Sequence, residues 1–135
     1  LTTMNIKTSK ELVDEANKEI KVLSAEEVKS FYEKGDITLI DIRDIRELWR
    51  EGTIKGSLHI PRGMLEFWMD PNSQYYDPSK FSSDKKLVLF CAAGMRSALA
   101  TKTLKDMGYK NIAHVEGGYG SLIKKGFEVA QKEKK

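Results

Sequence analysis

Cys91-Ala92-Ala93-Gly94-Met95-Arg96 is the stretch of this 135-residue chain whose residue types and spacing are able to do chemistry. Cys91 is the sole cysteine. A lone cysteine is by default a small buried apolar side chain, but its neighbours here favour ionisation. It follows the apolar run Leu87-Val88-Leu89-Phe90 and precedes a helix-forming run, so it stands where a strand hands over to a helix. The first turn of a helix projects unpaired N–H groups and a partial positive charge, and Arg96 adds a full charge nearby. The thiolate is the nucleophile, and such surroundings favour it over the thiol. Ala92, Ala93 and Gly94 leave the backbone amides uncovered, and Gly94 can take positive φ where the loop curls. A ring of amides of this kind is a nest for anions, sulfate-like oxygens or a persulfide among them. The expected chemistry is covalent catalysis with Cys91 as nucleophile.

The elements that must place this cysteine alternate between strand and helix patterns. Lys10–Lys18 reads as a short helix with Leu12, Val13 and Ala16 as its apolar stripe. Ile20–Leu23 reads as an edge-like strand. Ser24 and Glu27 form a capping box opening a helix that runs to about Lys34, where Gly35 stops it. Ile37–Ile40 and Leu87–Phe90 are β-branched or apolar runs of the kind covered on both faces, and Ile112–Val115 is a third. Asp44 caps a helix over Ile45–Glu51, Ser57–Ile60 is a short strand, and Gly63–Met69 is a helical piece. Asp70–Ser83, with Pro71 and Pro78, reads as a loop. Helices over Ser97–Met107 and Tyr119–Lys125 complete the pattern. Alternation of this kind implies a parallel sheet with helices on both faces, and ligands then bind beyond the carboxyl ends of the strands. Cys91 sits at that edge.

Composition narrows the function. The hydrophobic share of 40% supports one real core, and the length fits one domain. The net charge of +3 comes largely from the Lys-rich end of the chain, not from a basic stripe among aromatics, so no nucleic-acid partner is expected. No apolar run approaches the ~18–20 residues needed to span a bilayer, so no membrane partner is expected either. One cysteine excludes an intramolecular disulfide and a multi-thiolate metal site. His59 and His114 lack ligand spacing, so no metal is expected. Residues Leu1-Thr2-Thr3-Met4-Asn5 carry no secretory pattern. The chain does not open on Met, which leaves room for a removed leader, and a cytoplasmic protein is expected.

The stretch Leu87 to Gly120, LVLFCAAGMRSALATKTLKDMGYKNIAHVEGGYG, resembles the rhodanese-like domain. Leu39 to Pro61, LIDIRDIRELWREGTIKGSLHIP, is similar to that family's second hallmark, an Asp-x-Arg strand end followed by an Ile-x-Gly-x-x-x-Ile-Pro turn. The resemblance covers about residues 20–127. It leaves 1–19 as an N-terminal extension with a short helix and 128–135 as a polar, Lys-rich tail. It implies an α/β, doubly wound rhodanese-like fold, with a central, mostly parallel sheet of about five strands and helices on both faces. It also implies a single-domain sulfurtransferase without metal or organic cofactor, in which Cys91 takes a sulfane sulfur as a persulfide. The donor would be thiosulfate or a persulfide, and the acceptor cyanide or a thiol, free or on a protein. In similar domains a six-residue loop from Cys to Arg suits sulfur, and a loop one residue longer suits phosphate or arsenate. Cys91 to Arg96 is six residues. A non-catalytic docking or sulfur-carrier module is the alternative, with a phosphatase or arsenate reductase behind it.

The resemblance assigns anion binding to Ala92, Ala93, Gly94, Met95 and Arg96, with Asp41, Arg43 and Arg62 in support. Asp41 ends a strand and can hold the loop, and Arg43 can pair with Asp41 or Glu47. For both, a structural role is preferred. Arg62 can sit at the pocket mouth, and Met64, Phe67 and Trp68 can wall the site or pack the core. His59 reads as a hydrogen-bonding residue, and His114, inside a strand, as less functional still. The chain departs from the family in three places. Ala92 and Ala93 stand where a basic residue often follows the cysteine, Thr53 where a histidine is common, and Leu122 where a tryptophan is frequent.

Overall fold

The computed structural model describes residues 5–82 and 84–134. The opening residues 1–4, Ser83 at the end of the expected loop and Lys135 of the tail lie outside the described residues.

Local sequence sets the helix starts. Thr8 and Glu11 form a capping box for α1 (Ser9–Glu19), and Ser24 and Glu27 form one for α2 (Ala25–Glu33). Asp44 and Glu47 do the same for α3 (Ile45–Glu51). Between and after these helices run β1 (Lys21–Leu23), β2 (Ile37–Asp41), β3 (Thr53–Ile54) and β4 (Leu58–His59). A 3-10 turn over Arg62–Met64 leads into the single-turn α4 (Leu65–Trp68), so the expected helical piece is split. Then follow β5 (Lys86–Phe90), α5 (Met95–Met107), β6 (Ile112–Val115), α6 (Gly118–Lys124) and β7 (Val129–Ala130).

The main sheet has the order β1-β6-β5-β2-β4, and each neighbouring pair is parallel. Its pleat splits the core in two. Leu39, Val88, Phe90, Ala113 and Val115 pack with Val28 of α2 and Leu122 of α6. Ile40, Leu87, Leu89, Cys91 and Ile112 pack with Ala100 and Leu104 of α5 and Leu65 of α4. Helix α1 lies against α5, with Ala16 fully buried, while Leu12 of the expected apolar stripe stays exposed. The doubly wound α/β architecture is therefore the one expected.

Two features were not expected. Val129–Ala130, read from sequence as polar tail, form a strand that pairs antiparallel with Thr53–Ile54. Strands of two residues carry too little pattern to be seen in sequence. Helix α5 begins at Met95, two residues before its expected start, because Gly94 in the left-handed region (φ 104°) serves as its N-cap.

Candidate active site

Register brings the site together. Asp41 of β2 stands opposite Phe90 of β5, and the Ile42 amide donates to the Phe90 carbonyl at 3.0 Å. Cys91 therefore leaves the sheet beside Ile42, with its side chain on the α5 face. It is 1% exposed. The Gly94 amide donates to its Sγ at 3.1 Å and the Ser97 amide at 3.3 Å. The thiol in turn reaches the Ser97 hydroxyl at 3.4 Å. Ala92, Ala93, Met95 and Arg96 are exposed above this floor.

The neighbouring loop shapes the floor. The Tyr119 amide donates to the Cys91 carbonyl at 2.8 Å. A Cβ on Gly118, whose φ is +61°, would fall 2.5 Å from the Cys91 carbonyl oxygen and 2.7 Å from that of Ala92. Gly118 is thus a requirement of backbone approach.

Arg96, expected to lend charge to the thiolate, is gripped by Glu47 through two bonds of 2.8 and 3.0 Å. That pair holds the Glu47 carboxyl below the usual range, and it raises the affinity of Arg96 for its proton. Its charge reaches Cys91 only after this partial neutralisation.

Asp41 and Arg43 are brought together, on the opposite face of the sheet from the sulfur. Both are fully buried. Asp41 accepts from the Arg43 amide and Nε at 3.0 Å each, from Nη2 at 2.8 Å, and from the Thr53 hydroxyl at 2.6 Å. Arg43 also donates to Glu51 at 3.0 Å and to the Gly52 carbonyl at 2.7 Å, and it lies 4.0 Å over the Tyr119 ring. The expected alternative partner, Glu47, is taken by Arg96; Glu51 fills that place, because one helical turn of α3 separates the two carboxylates. Thr53, at the position where the family often has histidine, supplies the hydroxyl that completes Asp41. Arg62 is half-buried and spends its guanidinium on Glu66 and Thr103, so none of its hydrogen bonds reaches the Cys91 loop. Trp68 packs against the core, and Phe67 is exposed. His59 bonds the Arg43 carbonyl at 2.7 Å.

Sequence reading passed over Ser97 and Asn17 and set His114 aside as a strand residue. Ser97 Oγ lies 2.9 Å from His114 Nδ1, and His114 Nε2 lies 3.0 Å from Asn17 Oδ1. The available signal was a histidine inside an apolar strand, since a buried polar ring must have partners. Among the described residues no cluster of His, Cys, Asp and Glu has the arrangement to hold a metal ion, and no helix is long and apolar enough to cross a membrane.

The rhodanese-like domain model matches residues 24–125. The chain belongs to the rhodanese-like domain family. A mouse thiosulfate sulfurtransferase/rhodanese-like domain-containing protein is 33% identical over 101 residues, 72% of this chain and 64% of that protein. A tRNA uridine(34) hydroxylase of Bdellovibrio bacteriovorus is 32% identical over 71% of this chain and 26% of its own length. The chain thus spans less than two-thirds of these relatives. Among solved structures, a Rhodopseudomonas palustris protein of unknown function, described as a possible tyrosine phosphatase, shares 44% identity. It matches with a TM-score of 0.86, over 96% of this chain and 99% of its own. A human single-domain sulfurtransferase shares 30% identity with a TM-score of 0.62, over 77% of this chain and 96% of its own. This rhodanese-like chain is therefore similar to sulfurtransferases in both sequence and fold.

Proposed function

We propose that the protein is a sulfurtransferase in which Cys91 carries a sulfane sulfur. The observation that supports this most is the placement of Cys91 Sγ within hydrogen-bonding reach of the Gly94 and Ser97 amides, at 3.1 and 3.3 Å. Donors so placed stabilise the Cys91 thiolate, both as the attacking group and as the group released when the persulfide is discharged. In the first displacement the thiolate attacks the outer sulfur of thiosulfate, the S–S bond breaks, and sulfite leaves with the electron pair. In the second, cyanide or a thiolate attacks the outer persulfide sulfur, and the Cys91 thiolate returns. Splitting the transfer in this way is covalent catalysis, and neither step needs a metal or an organic cofactor. The Ala92–Arg96 loop surrounds the incoming anion, Arg96 with Glu47 sets the field at its edge, and Asp41 with Arg43 fixes the strand end. Arg62 has no direct role. Ala92 and Ala93 add no charge beside the sulfur, which favours a persulfide donor, free or on a protein, over thiosulfate. A free thiol of this kind suits a reducing, cytoplasmic setting.

The description of the Rhodopseudomonas relative favours a second reading, phosphate-ester hydrolysis. The six-residue loop and the engagement of Arg96 by Glu47 weigh against it.

Intact-protein mass spectrometry after incubation with thiosulfate or glutathione persulfide tests the proposal. The expected result is a gain of one sulfur atom, lost on adding cyanide and absent in Cys91→Ala. No gain with these donors or with mercaptopyruvate would leave a docking module, and Cys91-dependent cleavage of a phosphate ester instead would make it a phosphatase.

A further inference from the structure

Behind the sulfur, on the side away from the loop mouth, runs a line of polar groups that sulfur transfer as described above does not use. It starts at Cys91 Sγ, passes the Ser97 hydroxyl at 3.4 Å and the two ring nitrogens of His114, and ends at the Asn17 side chain of α1. The ring is 2% exposed. The bonding partners fix its chemistry. In the tautomer that matches Asn17 Oδ1 as an acceptor, His114 Nε2 carries the hydrogen and Nδ1 presents a lone pair. The Ser97 hydroxyl then donates to Nδ1 and turns its own lone pairs toward the thiol. Every member of the line is oriented the same way, from S–H to O–H to N.

We propose that Asn17, His114 and Ser97 form a relay that receives the Cys91 proton, which makes α1 part of the active site. The step balances without a further reactant. The S–H proton passes to Ser97 Oγ as the Ser97 proton passes to His114 Nδ1. The products are a thiolate held by two amides and the Ser97 hydroxyl, and an imidazolium still bonded to Asn17. His114 is a positioning residue, since it acts on the sulfur through Ser97. In the absence of a thiolate, burial pushes the ring down to about 4 and keeps it neutral. Among the described residues, no other charge offsets this penalty. Its sheet neighbours are the apolar Val22 and Leu89. On the elements packed around it, Glu19 is engaged by Lys102, Lys105 bonds the Glu19 carbonyl, Arg96 is held by Glu47, and Lys86 bonds Asn111. Neither Lys18, Lys21 nor Asp106 bonds the ring. Among the described residues, the thiolate is the one counter-charge the line can reach.

This inference rests on Cys91 being the nucleophile, but its test needs no sulfur donor. Alkylation of Cys91 by iodoacetamide, followed by intact mass between about pH 5 and 9, reads the thiolate directly. The wild-type rate is expected to be nearly flat with pH, because the proton moves within the molecule. Ser97→Ala and His114→Phe should react roughly tenfold or more slowly near neutral pH, with rates that climb as pH rises. Ser97→Thr, which keeps the hydroxyl, should restore the flat profile. Asn17→Ala, on the exposed face of α1, should give an intermediate profile even if His114→Phe fails to fold. Superimposable profiles for the wild type, Ser97→Ala and Asn17→Ala would overturn the relay. A relay-dependent profile in a protein that gains no sulfur would sink the sulfur-transfer reading and leave the relay standing.

Discussion

The carboxyl edge of the sheet carries two polar clusters, one on each face, and they are finished differently. On the α6 face, Asp41 and Arg43 leave nothing to spare. Four donors from Arg43 and Thr53 converge on the Asp41 carboxylate. The guanidinium is closed off by Glu51, the Gly52 carbonyl and the Tyr119 ring. On the α5 face, the Cys91 sulfur meets two amides and a hydroxyl, and stands below the exposed Ala92, Ala93, Met95 and Arg96. A saturated buried network resists change and makes a scaffold. Incomplete satisfaction is what allows the sulfur to gain a new bond. Under the proposed function, one edge separates holding from reacting, with the two parts a single residue apart in sheet register.

The comparison is broken most severely by removing one half of the saturated cluster. Arg43→Met leaves a buried carboxylate without its counter-charge and should cost about 3–5 kcal/mol in urea denaturation. The folded fraction should still load sulfur on Cys91; loss of loading without loss of stability would erase the division of labour. The next effect, on the order of 3 kcal/mol, concerns His114 and is best read in Cys91→Ala, where no thiolate can offset it. The folded ring titrates at about 4, below the ordinary 6.5. Between these values the unfolded chain binds a proton that the folded chain refuses, so stability is complete above about 6.5 and falls as the pH drops toward 4. Adding His114→Phe should flatten that part of the stability–pH curve, and an unchanged slope would show that another group governs it. The smallest effect is local. Gly118→Ala forces a Cβ into the Cys91 and Ala92 carbonyls at positive φ, for about 1–3 kcal/mol, and should slow sulfur loading. Gly120→Ala, with open space around its added Cβ, serves as the control and should leave loading untouched.

Sequence disclosed most of what is local. The Ser24–Glu27 and Asp44 caps, the strands at 37–40, 87–90 and 112–115, and the place of Cys91 at a strand end all depend on neighbours within a few residues. The pairings that distance in sequence conceals were not legible. Arg96 finds Glu47 49 residues away, and His114 finds Asn17 97 residues away, because the order β1-β6-β5-β2-β4 folds these segments together. His114 reads as an inert strand residue until β6 is placed under α5 and α1. Arg43 was expected to pair with Asp41 or Glu47, and it bonds Asp41 and Glu51. The isolation of Asp41 and Arg43 from the sulfur follows from the pleat, which sends Asp41 and Cys91 to opposite faces.

The β3–β7 ribbon has a consequence for modularity. It joins Ile54 to Val129 and Thr53 to Ala130, and Lys55 donates to the Glu128 carbonyl at 2.9 Å. Its strand β7 lies beyond the segment that the family model recognises, residues 24–125. The Gly52 backbone, which also receives Arg43, is packed beneath Val129 and Ala130. A graft cut at the family boundaries would carry the Cys91 loop whole and arrive without the clasp over the ion pair that supports it.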